Sequence, residues 1–170
     1  MRYTISILVE NEFGVLAKVA GLFSARGYNI RSLCVAETLD PSVSRMTIVT
    51  SGEREILEQI TKQLNKLINI LKVTEFTDTD HVEREMAVIK VNAETSVRAE
   101  VLRVVDIFRA KVIDVSPRSY TLEVTGDEGK INAILELLRP LGIKEVARTG
   151  MVAMARDHKG GKGAKSAVQE

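Results

Sequence analysis

The sequence predicts an α+β protein made of two successive halves, each with the element order βαββαβ that is called ferredoxin-like. Along the 170 residues, apolar side chains alternate with a period of two, change to helical spacing, and return to a period of two, in the same order twice. A polar stretch with one apolar residue, residues 77–85 (TDTDHVERE), separates the halves, and we take residues 78–85 as a linker. The halves share their pattern but hardly any residues, so the repeat is architectural.

The first half begins with a strand whose apolar residues alternate at Ile5, Ile7 and Val9. The helix that follows carries Val15, Val19 and Leu22 on one face, and Arg26-Gly27 ends it. The elements predicted for this half are strands at residues 3–9, 29–36, 44–50 and 68–76, with one helix between the first two strands and a second helix along Ile56, Ile60, Leu64 and Leu67.

The second half repeats this order. Its predicted elements are strands at residues 86–92, 112–115, 120–125 and 143–147, a helix along Val97 to Phe108, and a helix along Ile131 to Leu138 that Pro140 breaks. Residues 151–154 are predicted to extend the last strand, which ends the second domain at residue 155. Residues 156–170, rich in Gly and Lys and without a period, are predicted to be a disordered basic tail.

Composition excludes several classes of function. Lys and Arg number 24 and Asp and Glu 23, so the formal charge of +1 creates no field that would draw the protein to nucleic acid or to an anionic membrane. The single cysteine, Cys34, excludes an internal disulfide and suits the reducing cytoplasm. No signal peptide is recognised, and no stretch approaches the roughly 18 apolar residues of a transmembrane helix. We therefore expect a soluble, cytoplasmic protein.

The sequence contains no recognisable arrangement of catalytic or metal-binding side chains, so it predicts no catalytic residue and no metal site. His81 and His158 have no second histidine or cysteine at ligand spacing, and Cys34 is interpreted as a buried apolar residue. An RNA recognition motif needs aromatic side chains on its central strands, and here the third strand has none. An acylphosphatase-like enzyme needs an arginine in its phosphate loop, where this chain has Glu10 and Glu12.

The turn at residues 11–14 is the candidate binding site. Asn11 is predicted to cap the first helix, and Gly14 leaves the N–H groups of the first turn open to a carboxylate. Asn29, at the start of the neighbouring second strand, adds a second amide. The candidate ligand is a small apolar amino acid, held by the residues Asn11, Gly14, Val15, Leu16, Asn29 and Ile30. A helix cap followed by a tight turn, without any ligand, is the alternative interpretation.

Each predicted sheet has helices on one face only. The other face still carries apolar residues, either on the side of Met46 and Ile48 or on the opposite side with Val49, so it needs a cover. The edge strands of such small sheets also pair readily with another subunit. The sequence therefore predicts a homodimer.

Four strings of residues resemble those of a known family. They are residues 10–16 (ENEFGVL), 21–30 (GLFSARGYNI), 44–48 (SRMTI) and 81–85 (HVERE), and they occur in order and at the expected spacing. The chain resembles the regulatory small subunits of acetohydroxyacid synthase, also called acetolactate synthase, from residue 1 to about residue 155. The first-half strings also suggest the broader class of ACT domains.

The resemblance implies an amino-acid-binding ACT domain at residues 3–77 and a second, ACT-like domain at residues 86–155. Such subunits form homodimers through their ACT domains and join a catalytic large subunit that holds thiamine diphosphate, Mg and FAD. They activate that subunit and confer feedback inhibition by valine in branched-chain amino acid biosynthesis. The same resemblance implies that Asn11, Gly14 and the N–H groups of Val15 and Leu16 hold valine, and that Asn29 and Ile30 come from the second subunit. Ala17 stands where relatives often have serine.

Two alternatives remain open at this point. The first is an ACT-type amino-acid sensor that serves a different biosynthetic enzyme, and the more distant second is an acylphosphatase-like enzyme. Association with a large thiamine-dependent partner distinguishes a regulatory subunit of acetohydroxyacid synthase from an ACT-type sensor of another enzyme. Hydrolysis of an acyl phosphate would support the acylphosphatase-like enzyme.

Overall fold

The computed structural model of the protein describes residues 1–157. The chain folds into two compact units, of which the first contains Met1–Val82 together with residues 151–157 and the second contains Glu83–Gly150. Each unit has its own sheet and its own hydrophobic core.

The first unit has the predicted βαββαβ order. Its elements are β1 (Arg2–Glu10), α1 (Val15–Ala25), β2 (Ile30–Glu37), β3 (Val43–Ser51), α2 (Arg54–Leu64) and β4 (Ile70–Glu75). The sheet order is β2-β3-β1-β4, and β1 pairs antiparallel with both β3 and β4. The alternating Ile5, Ile7 and Val9 of β1 are buried in one core with Phe23 of α1 and Ile60 of α2. The α+β prediction is confirmed for this unit.

The second unit repeats the arrangement. Its elements are β5 (His81–Asn92), which starts in the first unit, α3 (Arg98–Phe108), β6 (Lys111–Val115), β7 (Ser119–Gly126), α4 (Glu128–Gly142) and β8 (Ile143–Arg148). The path through this sheet is β6-β7-β5-β8. Ile89 of β5, Leu122 of β7, Val101 of α3 and Ile134 of α4 lie in its core. Tandem ferredoxin-like units are therefore the architecture.

The segment predicted as a linker is shorter than expected. Strand β5 begins at His81 and not at Met86, so residues 81–85 of the predicted linker are extended. The ring of His81 packs on the ring of Phe76, with 4.9 Å between the ring centroids. Polar composition suggested a linker, but a strand needs only backbone partners, and its exposed positions tolerate charged side chains.

The chain end also differs from its prediction. Residues 151–155, assigned from the sequence to the second domain, belong to the first unit, where β9 (Val152–Ala155) contacts β1. The Met151 N–H donates to Ser32 Oγ at 3.0 Å, and the Arg156 N–H donates to the Asp80 carbonyl at 2.9 Å. Met151 and Ala153 are buried. Arg156 is therefore bound to the first unit, whereas the rest of the predicted tail, residues 158–170, lies outside the described residues.

This returning segment supplies part of the cover that the sequence required. On the helix-free face of the first sheet, Thr4, Ser6, Thr47 and Val49 are buried. The segment from Met151 onward belongs to the same unit and bonds to Ser32 on that sheet. Part of the cover therefore comes from the chain itself and not from a second subunit.

The last helix does not end where the sequence placed its end. Helix α4 continues through Pro140 to Gly142, so the predicted break at Pro140 is wrong. Proline lacks the N–H that would bond to the carbonyl of Glu136, but in the last turn of a helix that loss affects only one bond. The helix ends two residues later at Gly142, where φ is +98°, a value that glycine adopts without strain.

Glu85 and Arg148 form a bidentate ion pair in the second unit. The guanidinium donates twice, from Nε to Oε1 at 2.7 Å and from Nη2 to Oε2 at 2.6 Å. The Glu85 side chain is only 5% exposed, whereas Arg148 is 37% exposed. The hydrogen bonds from Arg148 to Glu85 raise the pKa of Arg148 above its ordinary value. Arg148 therefore stays positively charged across the pH range in which the protein is handled.

We expect Arg148→Ala to lower the free energy of unfolding by about 2–3 kcal/mol, because it leaves the Glu85 carboxylate buried without its partner. Glu145→Ala is the matched control, since Glu145 and Lys90 form an exposed pair at 3.5 Å whose loss should cost at most about 1 kcal/mol. Urea unfolding followed by circular dichroism measures both. Equal effects of the two substitutions would contradict a special role for the buried pair.

Candidate functional site

The turn before α1 is built around Gly14. This residue is the N-cap of α1 with φ at +81°, and no side chain caps the helix. The sequence-based prediction that Asn11 caps α1 is therefore wrong. The Val15 N–H donates to the Glu12 carbonyl at 3.4 Å, whereas the N–H groups of Leu16 and Ala17 lie in the first turn, where a helix offers no internal acceptor.

The side chain of Asn11 instead holds the loop between β2 and β3. Its Nδ2 donates to Glu37 Oε1 at 3.0 Å and to the Pro41 carbonyl at 2.9 Å, and its backbone N–H donates to the Ser42 carbonyl at 2.7 Å. The Glu37 carboxylate and the Pro41 carbonyl are both acceptors, so the end of the Asn11 amide that contacts them must be the nitrogen. Oδ1 of Asn11 accepts no hydrogen bond from any described residue and is open to a donor.

The loop that holds Asn11 is itself ordered by Asp40. Its Oδ1 accepts from the Ser42 hydroxyl at 2.7 Å and from the Ser42 N–H at 2.9 Å. These two hydrogen bonds lower the pKa of Asp40 below its ordinary value, and the bond from the Ser42 hydroxyl has the larger effect. Asp40 therefore stays ionised at neutral pH, and its bonds position the carbonyls of Pro41 and Ser42 that meet Asn11.

A second amide, Asn69, holds the other side of the same turn. Its Nδ2 donates to Glu10 Oε2 at 2.7 Å and to Glu12 Oε2 at 3.3 Å, and its Oδ1 accepts from Lys18 Nζ at 2.9 Å. The sequence reasoning missed Asn69, Lys18 and Glu37. No local pattern points to Glu37 or Asn69, because each meets its partners across 26 to 59 residues of chain.

The two apolar residues predicted beside the turn have different surroundings. The Val15 side chain is 3% exposed and lies in the core, so it does not form an open wall for a ligand. Leu16 is 45% exposed and faces outward. The reason is helical spacing, since Val15 shares the buried face of α1 with Val19 and Leu22.

Asn29 and Ile30 lie far from Asn11 within one chain. Ile30 is level with Thr50 and Tyr3 at one end of the sheet, whereas Glu37, which binds Asn11, is the last residue of β2 at the other end. Seven residues of strand separate them, or roughly 23 Å at about 3.3 Å per residue. The carbonyl of Asn29 accepts from Thr50 Oγ1 at 2.8 Å. The structure thus brings together Asn11, Gly14, Val15 and Leu16, but not Asn29 and Ile30.

Other chemistry has little support in the described part of the chain. Within residues 1–157, no group of three or more His, Cys, Asp and Glu side chains is arranged to hold a metal ion, and no helix there is long and apolar enough to cross a membrane. Cys34 was interpreted as buried, but it is only partly so. It lines a cleft of about 370 Å³ on the helix-free face together with Arg45, Thr47 and Met154.

Comparison with known proteins relates both units to one family. Residues 5–72 match the model of the AHAS small subunit-like ACT domain, and residues 84–157 match the model of the small subunit of acetolactate synthase. The chain is 56% identical over 157 residues to the acetolactate synthase small subunit of Aquifex aeolicus, which covers 92% of this chain and 82% of that one. It is 54% identical over 158 residues to that of Mycobacterium bovis, covering 93% and 94%.

The chain belongs to the acetolactate synthase small subunit family. The crystal structure of the acetolactate synthase small subunit from Thermotoga maritima superposes with a TM-score of 0.84 at 42% identity, over 93% of this chain and 99% of that one. The family resemblance and the tandem ACT-like fold expected from the sequence are both confirmed.

We expect Gly14→Ala to destabilise the protein by about 1–2 kcal/mol, because alanine is strained at φ +81° even though no atom lies within 4 Å of the added Cβ. Gly14→Asp should cost less, since aspartate tolerates this region better and its charge favours a helix N-terminus.

Gly21→Ala is the control for these two variants. It also has nothing within 4 Å, but it lies inside α1 and should stabilise the protein by roughly 0.5–1 kcal/mol. Thermal unfolding of the three variants measures these differences. Stabilisation by Gly14→Ala would show that the left-handed backbone at Gly14 is not required.

Proposed function

We propose that this chain is the non-catalytic regulatory subunit that activates the catalytic subunit of acetolactate synthase and makes it subject to feedback inhibition by valine. The observation that carries the proposal is the match of both units, over more than nine-tenths of the chain, to acetolactate synthase small subunits. The open end of α1 beside the Asn11 amide supports an amino-acid ligand.

Valine fits the groups at this turn. Its carboxylate accepts from the first-turn N–H groups of Leu16 and Ala17, where the helix dipole also favours a negative charge. Its ammonium donates to the open Oδ1 of Asn11, and its isopropyl group packs against the exposed side chain of Leu16. Gly14 leaves the approach unobstructed, because nothing lies within 4 Å of the position where a Cβ would be.

A second copy of the chain completes the site. Strand β2 is an edge strand, so its outer backbone groups are available for pairing. When two copies of β2 pair antiparallel about a two-fold axis, the Ile30 end of one strand meets the Glu37 end of the other. Asn29 and Ile30 of one subunit then reach the Asn11 turn of its partner. The distance between the two halves of the site within one chain supports this homodimer.

The partner is the catalytic large subunit, which carries thiamine diphosphate, Mg and FAD and performs the synthesis of acetolactate. This chain supplies the regulation, and we place the complex in the cytoplasm, which a single cysteine favours. An ACT-type sensor for another biosynthetic enzyme is the alternative. The names of the relatives favour acetolactate synthase as the partner.

Acetolactate formation by the catalytic subunit, measured with and without this chain and titrated with valine, leucine and isoleucine, tests the proposal. We expect the chain to raise the activity and valine to lower it again. A ligand this small should bind with a dissociation constant of about 10–200 μM. Failure to bind or stimulate that catalytic subunit would favour the alternative sensor, and a nanomolar constant would contradict a small, open site.

We expect Asn11→Ala to raise the valine concentration needed for inhibition roughly ten- to hundredfold, because the ammonium loses an acceptor worth about 1–3 kcal/mol. Stimulation of the catalytic subunit should persist. Asn65→Ala is the control, since the Asn65 amide donates to the Thr61 carbonyl at 2.9 Å at the C-terminal end of α2, away from the site. Inhibition that is unchanged in Asn11→Ala would reduce Asn11 to a structural tie between two loops.

A further inference from the structure

We propose that Glu37 selects ligands with an ammonium group, so that the site accepts α-amino acids and rejects 2-oxo acids of the same carbon skeleton. This inference rests on the proposed function, because it concerns specificity at the same valine site. Neither the family match nor the sequence pattern assigns a role to Glu37.

The geometry that carries the inference is the contact between Glu37 and Asn11. Glu37 Oε1 accepts from Asn11 Nδ2 at 3.0 Å, so the carboxylate is held against the amide. The second oxygen, Oε2, accepts no hydrogen bond from any residue in the described range 1–157, and the same holds for Oδ1 of Asn11. Two open acceptors, one of them on a carboxylate, therefore lie on two side chains that are hydrogen-bonded to each other.

Such a pair distinguishes the two ligand classes. An ammonium group presents three N–H donors and a positive charge, and it satisfies both open acceptors. A 2-oxo acid presents at the same carbon a carbonyl oxygen, which is itself an acceptor and meets only repulsion there. The carboxylate and the alkyl group are common to both ligands, so the discrimination falls on the group that faces Glu37.

The other carboxylates near this turn bond to residues other than Asn11. Glu10 and Glu12 both accept from Asn69 Nδ2, and Asp40 accepts from Ser42. Lys18, a cation beside the turn, donates to Asn69 Oδ1. Glu37 is thus the carboxylate that touches Asn11, and Glu12 offers a comparison with equal charge on the same side of the domain.

Calorimetry on the full chain, with valine and with 3-methyl-2-oxobutanoate as the two probes, tests the inference. We expect the unmodified protein to prefer valine by at least about tenfold. Glu37→Gln keeps an oxygen that accepts from Asn11 Nδ2 but removes the charge. It should weaken valine roughly 5- to 30-fold and leave the oxo acid unchanged or slightly tighter, so the preference falls.

Glu12→Gln is the matched control, because it removes the same charge from the same loop region while keeping an acceptor for Asn69. It should preserve the preference for valine. An unmodified protein that binds no valine would refute the proposed function itself. If valine binds but the preference is absent, survives Glu37→Gln, or falls equally in Glu12→Gln, the role assigned to Glu37 is wrong.

Discussion

The hydrogen bonds of the Asn11 amide join the turn before α1 to the hairpin between β2 and β3, and the arrangement of the candidate site depends on them. The amide donates to Glu37 at the end of one strand and to Pro41 in the loop, so two segments that are about 30 residues apart in sequence keep one geometry. Asp40 fixes the loop from within through Ser42. Without these bonds, the open Oδ1 of Asn11 and the open end of α1 would have no defined relation.

The left-handed backbone at Gly14 is the second constraint. Because φ is +81°, the chain leaves β1 and enters α1 without any side chain over the first turn. The N–H groups of Leu16 and Ala17 remain available there, and α2 and α3 likewise begin without a side-chain cap, although a Ser, Thr or Asp side chain often caps a helix. Helix α4 shows the common solution, since Asp127 Oδ1 accepts from the Lys130 N–H at 2.8 Å.

The cover of the first sheet shows how a local pattern and a distant segment combine. The alternation in β1 places Ile5, Ile7 and Val9 under the helices and leaves Thr4 and Ser6 on the opposite face. The buried state of those hydroxyl-bearing residues depends on structure beyond the first βαββαβ unit, and the chain from Met151 supplies part of it. The N-terminal domain is therefore not a continuous piece of sequence, although its motif is.

The sequence by itself determined the order of elements, the two cores and the turn at Gly14, because each of these follows from apolar periodicity or from residue types a few positions apart. It misplaced the start of β5, since a polar strand and a polar linker have the same composition, and it placed the end of α4 too early, at Pro140.

Only the tertiary structure decided that Asn11 bonds to Glu37 and not to α1, that Asn69 holds Glu10 and Glu12, and that Asn29 lies at the opposite end of the sheet from Asn11. The physical reason is range. Periodicity and turn chemistry act over a few residues and are visible in the sequence, whereas the partner of a polar side chain is set by strand register and by loops that meet in space from distant parts of the chain.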